Sequence, residues 1–170
     1  MNYNSLRNNI WQDHFVELTL KEALTRGVAA HKAGQLQEAD KLYTAILQEQ
    51  PNHPVANHNM GVLAVSAGKL QEALPFFKTA LEANPNTTQF WTSYIDTLIK
   101  LDRLADAKDV LDQGKNKGAK GVAYNNMGAA LKDKGDLEAA IDNYKQALKI
   151  KPDFAVAYNN MGAALKDKGD

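Results

Sequence analysis

Apolar residues recur along this chain at helical spacing in short blocks, and most blocks close on glycine or proline. Thr19-Leu20-Lys21-Glu22 fits a capping box, with the Thr hydroxyl accepting from the backbone and Glu22 reaching back, so a helix is predicted over 20–33. Gly34 stops it, because a left-handed closing residue carries no steric cost only when it lacks a Cβ. A second helix over 36–49 carries Leu36, Ala39, Leu42, Tyr43, Ile46 and Leu47 on one stripe, and Pro51 follows. The next pair opens at Pro54, whose missing N–H would be unpaired at a first helical position anyway. Met60, Gly61 and Ala64 line one face, Gly68 breaks the chain, and Leu70, Ala73, Leu74, Phe77, Ala80 and Leu81 stripe the helix ahead of Pro85. Pro75 is expected in or near that helix's first turn, where it is tolerated. A third pair, from about Thr88, carries Trp91, Tyr94, Leu98, Leu101, Leu104, Ala107 and Leu111.

The blocks repeat. Val122–Asp136 recurs letter for letter at Val156–Asp170, and Ala39, Ala73, Ala107 and Ala140 anchor the looser copies at spacings of 34, 34 and 33. Such a period marks a stacked array of helical pairs. The pairs fall at about 20–53, 54–87, 88–120 and 121–154, with a half repeat at 155–170. The third pair departs most: Ile95 stands where the others have Gly27, Gly61, Gly128 and Gly162, Asp102 replaces the glycine between helices, and Ala119 replaces the closing proline. Gly114, Gly118 and Gly121 follow, each costing a helix about 1 kcal/mol relative to Ala. The third pair is therefore expected to be the soft joint of the array. Residues 1–18 lie outside the repeat. Tyr3, Leu6 and Ile10 predict a lead-in helix that caps the first pair, with a partner-binding or membrane-surface helix as the alternative.

Charge narrows the partners. Twenty basic residues against 20 acidic ones leave no net charge, so no bulk attraction draws the chain to nucleic acid or anionic lipid. Without cysteine there are no disulfides and no thiolate metal sites. No apolar run approaches the roughly 20 residues that span a bilayer. The first residues lack a signal-peptide core, which makes the cytoplasm the default compartment.

These residues resemble the tetratricopeptide repeat (TPR). Trp91, Tyr124 and Tyr158 meet its aromatic opening position, from which Asn57 and Ala23 depart. Met60-Gly61, Met127-Gly128 and Met161-Gly162 meet its apolar-Gly pair. Ala39/Tyr43, Ala73/Phe77 and Ala140/Tyr144 meet the later Ala and aromatic, and Pro51, Pro85 and Pro152 close the units. The resemblance implies an all-α fold, an α-solenoid of helix-turn-helix repeats wound as a right-handed superhelix, whose first helices line a concave groove that binds partners. Small residues such as Gly61 and Ala73, or Gly128 and Ala140, would let paired helices approach closely.

With Tyr124, Met127, Gly128 and Leu131 turned inward, helical geometry turns Asn125, Asn126 and Lys132 toward that groove, and likewise Asn159, Asn160 and Lys166 in the half repeat. His58 and Asn59 hold the equivalent places in the second pair and Ser93 in the third. Asn59, Asn126 and Asn160 thus share one register. A carboxamide both donates and accepts, so such a row can pair with a peptide backbone whatever its side chains. The row is similar to the asparagine ladder of the TPR region of O-linked N-acetylglucosamine transferases; a solvated polar face is the alternative. The carboxylate clamp by which other TPR proteins hold chaperone tails finds no matching window: of Leu24, Val28, Asn59, Gln89 and Ser93 only the asparagine fits.

Catalytic chemistry is not expected. The four histidines form no pair at helical spacing, so no metal is expected, and no phosphate loop or nucleophile triad is present. The half repeat lacks its second helix, which should leave Tyr158, Met161 and Leu165 open to a homodimer or to end-to-end stacking, and suggests a natural chain that continues. The reading is a non-enzymatic scaffold, without cofactor, that holds an extended peptide or protein segment. The alternatives are the recognition region of a larger glycosyltransferase-like enzyme and a self-assembling module.

Overall fold

A computed structural model describes residues 19–113 and 117–169. Among these residues there are nine helices and no strand: α1 (Leu20–Lys32), α2 (Leu36–Glu49), α3 (Pro54–Ser66), α4 (Leu70–Ala83), α5 (Thr88–Lys100), α6 (Leu104–Gln113), α7 (Lys117–Asp133), α8 (Leu137–Ile150) and α9 (Ala155–Lys168). The fold is an all-α solenoid in which consecutive helices pair. The chain separates into two compact units, with α1–α4 in the first and α5–α9 in the second. The expected lead-in helix over 1–18 lies outside the described residues, as does the centre of the expected soft joint.

Helix ends follow the local chemistry. The Glu22 N–H donates to Thr19 Oγ1 at 3.3 Å and the Thr19 N–H donates to Glu22 Oε2 at 2.8 Å, completing the capping box. Gly34, Gly68 and Gly135 close α1, α3 and α7 with φ near +74°, +75° and +82°. Asp102 takes the same left-handed turn at φ +61°, and its carboxylate accepts from Lys134 one repeat on. In each case the next N–H reaches back to a carbonyl five residues earlier, as Arg103 does to Leu98, so orphan carbonyls at the helix end are satisfied. Two details differ from expectation. Pro75 is the sixth residue of α4, just past the first turn, so the Gln71 carbonyl lacks its usual donor four residues on. Helix α7 starts at Lys117, a turn early, because Ala119 and Ala123 are buried and Gly121 lies against Ile150 and Lys151.

The helices of a pair meet through one recurring contact. A Cβ placed on Gly27, Gly61 or Gly128 would stand 2.6 Å from the ring of Tyr43, Phe77 or Tyr144 on the second helix. Side chain and ring cannot both fit, so glycine on one helix is the condition for an aromatic on the other. In the third pair the same two places hold Ile95 and Leu111, both essentially fully buried, which divide the volume differently. Ala39, Ala73, Ala107 and Ala140 are all 0 % exposed, as expected where neighbouring helices crowd. In the first unit Ala39, Leu42, Tyr43 and Ile46 of α2 pack with Ala56, Met60 and Leu63 of α3, and in the second Ala140, Ile141 and Tyr144 of α8 pack with Ala164 of α9.

Candidate functional site

The positions expected to face the groove include a chain of carboxamides in the second unit. Asn126 Nδ2 on α7 donates to Asp96 Oδ1 on α5 at 2.7 Å. Asn125 Nδ2 donates to Asn126 Oδ1 at 3.2 Å, and Asn160 Nδ2 on α9 donates to Asn125 Oδ1 at 3.0 Å. One relay, Asn160 to Asn125 to Asn126 to Asp96, therefore ties three successive first helices together. Each amide nitrogen has two hydrogens, and the relay uses one of each. Burial raises the Asp96 carboxyl above its usual range, while the Asn126 amide and the Lys100 charge pull it back.

The expected residues divide by depth. Asn126 and Asn160 are half-buried, Asn159 and Lys166 are exposed, and Ser93 is half-buried on α5. Lys132 forms an ion pair with Asp167 on α9 at 3.0 Å, which raises its pKa. Asn125 is buried at 5 % and His58, in the same register, at 3 %, so neither lines an open surface. The physical reason for Asn125 is that α9 packs over it, with Asn160 donating to its side chain. Sequence reasoning placed Asp96 on the groove side but did not single it out; its signal was a lone carboxylate facing a run of asparagines.

In the first unit Asn59 stands on α3 at the position equivalent to Asn126. Its side chain is turned inward toward the Tyr43 hydroxyl, where it partly offsets the rise that burial gives the Tyr43 pKa. Its Oδ1 lies 3.4 Å from His58 Nδ1, and the His58 ring packs against Phe77 at 5.6 Å between centroids. Burial lowers the His58 pKa, partly offset by Asn59. The imidazole is then neutral in the fold and takes a proton more readily when unfolded, so stability is full above about pH 6.5 and falls as pH drops below it. The urea midpoint of the first unit should decline from pH 7.5 to 5.5, and His58→Asn, the residue found at the equivalent Asn125, should flatten that decline.

Asn57 departs from the aromatic opener yet does its work. Its Nδ2 donates to the Pro51 carbonyl at 2.8 Å, and Trp91 Nε1 donates to the Pro85 carbonyl at 2.7 Å, each six residues back. In these two pairs a side-chain N–H ties the start of the first helix to the proline that closes the preceding pair.

Among the described residues no group of three His, Asp or Glu side chains could hold a metal, and no helix is long and apolar enough to cross a membrane. No curated protein matches the chain. Solved structures with similar folds include the MamA protein, at TM-score 0.69 and 21 % identity over 88 % of this chain and 82 % of that one. MamA 41-end from Desulfovibrio magneticus RS-1 gives 0.69 and 22 % over 89 % and 86 %. YrrB, described as a TPR protein with an unusual peptide-binding site, gives 0.64 and 19 % over 89 % and 78 %. A family model for the tetratricopeptide repeat matches residues 64–131, and one for the TPR repeat matches 128–169. The chain carries tetratricopeptide repeats.

Proposed function

We propose that the chain is a non-enzymatic interaction scaffold that grips an extended polypeptide by its backbone through the carboxamides of Asn126 and Asn160. The relay from Asn160 to Asp96 carries this reading: it holds both amides in fixed orientation and leaves each a second N–H to give. Asn59 stands in the same register in the first unit. The peptide-binding site of YrrB, a protein of like fold, makes such a use familiar.

Backbone recognition has a distinguishing signature. In titrations, alanine-substituted versions of a bound peptide should keep their affinity, and backbone N-methylated versions should lose it. Asn126→Ala with Asn160→Ala should weaken binding roughly tenfold or more, the effect of about one or two charge-neutral hydrogen bonds. Equal binding by that variant, at an unchanged melting temperature, would remove the ladder from the reading.

Self-association is a second reading, favoured by the 51 % exposure of Tyr158 on α9. Met161 and Leu165, expected to be open beside it, are half-covered by α8.

A further inference from the structure

Hydrogen bonding gives the carboxamide row a direction. A carboxamide accepts at its oxygen and donates at its nitrogen, and turning it over exchanges the two, whereas an ionised carboxylate only accepts. Asp96 therefore admits Asn126 in one orientation, with Nδ2 toward Asp96 Oδ1 at 2.7 Å. That turns the Asn126 oxygen to Asn125, whose Nδ2 donates to it at 3.2 Å. The Asn125 oxygen then accepts from Asn160 Nδ2 at 3.0 Å. The bond to the carboxylate is the shortest of the three, as expected where the acceptor carries charge. A reversed row would keep as many bonds between amides, and only its end at Asp96, oxygen against oxygen, is forbidden. Asp96 is also singular along the chain: the equivalent places hold Val28, Val62, Ala129 and Ala163.

We infer that Asp96 is the positioning residue that sets the donor direction of the whole row, turning the amide nitrogens of Asn126, Asn125 and Asn160 along it toward α5. Asp96, Asn126 and Asn160 are half-buried and Asn125 is buried, so a mismatched amide has little water to turn to and the choice made at one end carries to the other. With the direction fixed, Asn126 and Asn160 each keep one amide hydrogen in a set place. A row free to reverse would offer hydrogens and oxygens by turns. The direction follows from the hydrogen bonds alone, whereas its use in holding a polypeptide rests on the function proposed above.

The test is nuclear magnetic resonance of the side-chain amides in the isotope-labelled full chain, with no ligand added. In the parent, Asn126, Asn125 and Asn160 should each give a single pair of amide proton signals. Couplings across the hydrogen bonds should run from Asn126 Nδ2 to the Asp96 carboxyl carbon, from Asn125 Nδ2 to the Asn126 side-chain carbonyl carbon, and from Asn160 Nδ2 to that of Asn125. These parent couplings test the direction without any substitution. Asp96→Asn keeps the shape but can donate as well as accept, so a second set of signals should appear for all three asparagines, with couplings in the reverse sense. Asn160→Ala, at the far end, should leave Asn126 and Asn125 with single signals. Asn143, whose Nδ2 donates to the Ala139 carbonyl at 2.8 Å, is the control and should change in neither variant. Reversed couplings in the parent, or one unchanged set for Asn125 and Asn160 in Asp96→Asn, would overturn the inference. Because no peptide is present, the outcome is independent of the titrations that test the peptide reading.

Discussion

Gly128→Ile should destabilise the second unit by about 3 kcal/mol, and Tyr144→Leu in the same chain should restore most of the loss. The single change drives a branched side chain into a ring that already lies 2.6 Å from the nearest added carbon. Overpacking of that kind costs about 1–3 kcal/mol, and the upper end applies because Tyr144 is 0 % exposed and has no room to turn. Tyr144→Leu alone opens a cavity and should cost about 2–3 kcal/mol, somewhat less than complete removal of a buried aromatic. Together the two changes recreate Ile95 over Leu111, a packing the third pair already uses. Coupling of this sign and size appears in a double-mutant cycle from urea unfolding. Additive losses would mean that glycine and ring are not in contact. Gly162→Ala is the internal control, since its surroundings are empty; it should be neutral or stabilising by up to about 1 kcal/mol through helix propensity.

Ala140→Arg should cost more than about 3 kcal/mol and melt the second unit well below the parent. Ala140 is 0 % exposed in an apolar cluster with Ile141, Tyr144 and Ala164. The guanidinium would have to be buried unpaired or force α8 away from its neighbours, and both routes are expensive. Thermal unfolding followed by circular dichroism reads the effect directly. A melting temperature within a few degrees of the parent would show that this alanine does not sit where helices crowd.

Most of the helical framework was legible because its stops are local chemistry. Thr19 with Glu22, Pro54, Gly34 and Gly68 each fix an end through groups within a few residues. The early start of α7 was not legible, since Gly118 and Gly121 argue locally against a helix. Burial of Ala119 and Ala123, with Gly121 lying against Ile150 and Lys151, decides otherwise. The shared register of the asparagines was legible, but their depth was not. Asn125 and Asn126 are neighbours with the same side chain, and only the packing of α9 shows which one is covered. Asn57 misled for a different reason: the aromatic at that position was read for its ring, whereas the shared property of Asn57 and Trp91 is an N–H that reaches a proline carbonyl.

The duplicated segment also bears on how the second unit is assembled. Tyr144 is flanked along the chain by two glycines set in identical sequence, Gly128 before it and Gly162 after it, and loops of three or four residues connect α8 to either helix. While the chain is collapsing, α8 can therefore close on the earlier neighbour or the later one with nearly equal local gain. The correct choice is enforced only when α9 settles on the other side of α8 through Ala164, Met161 and Leu165. Exact repetition thus introduces a degenerate, competing hairpin that the irregular upstream pairs, by differing from one another, avoid.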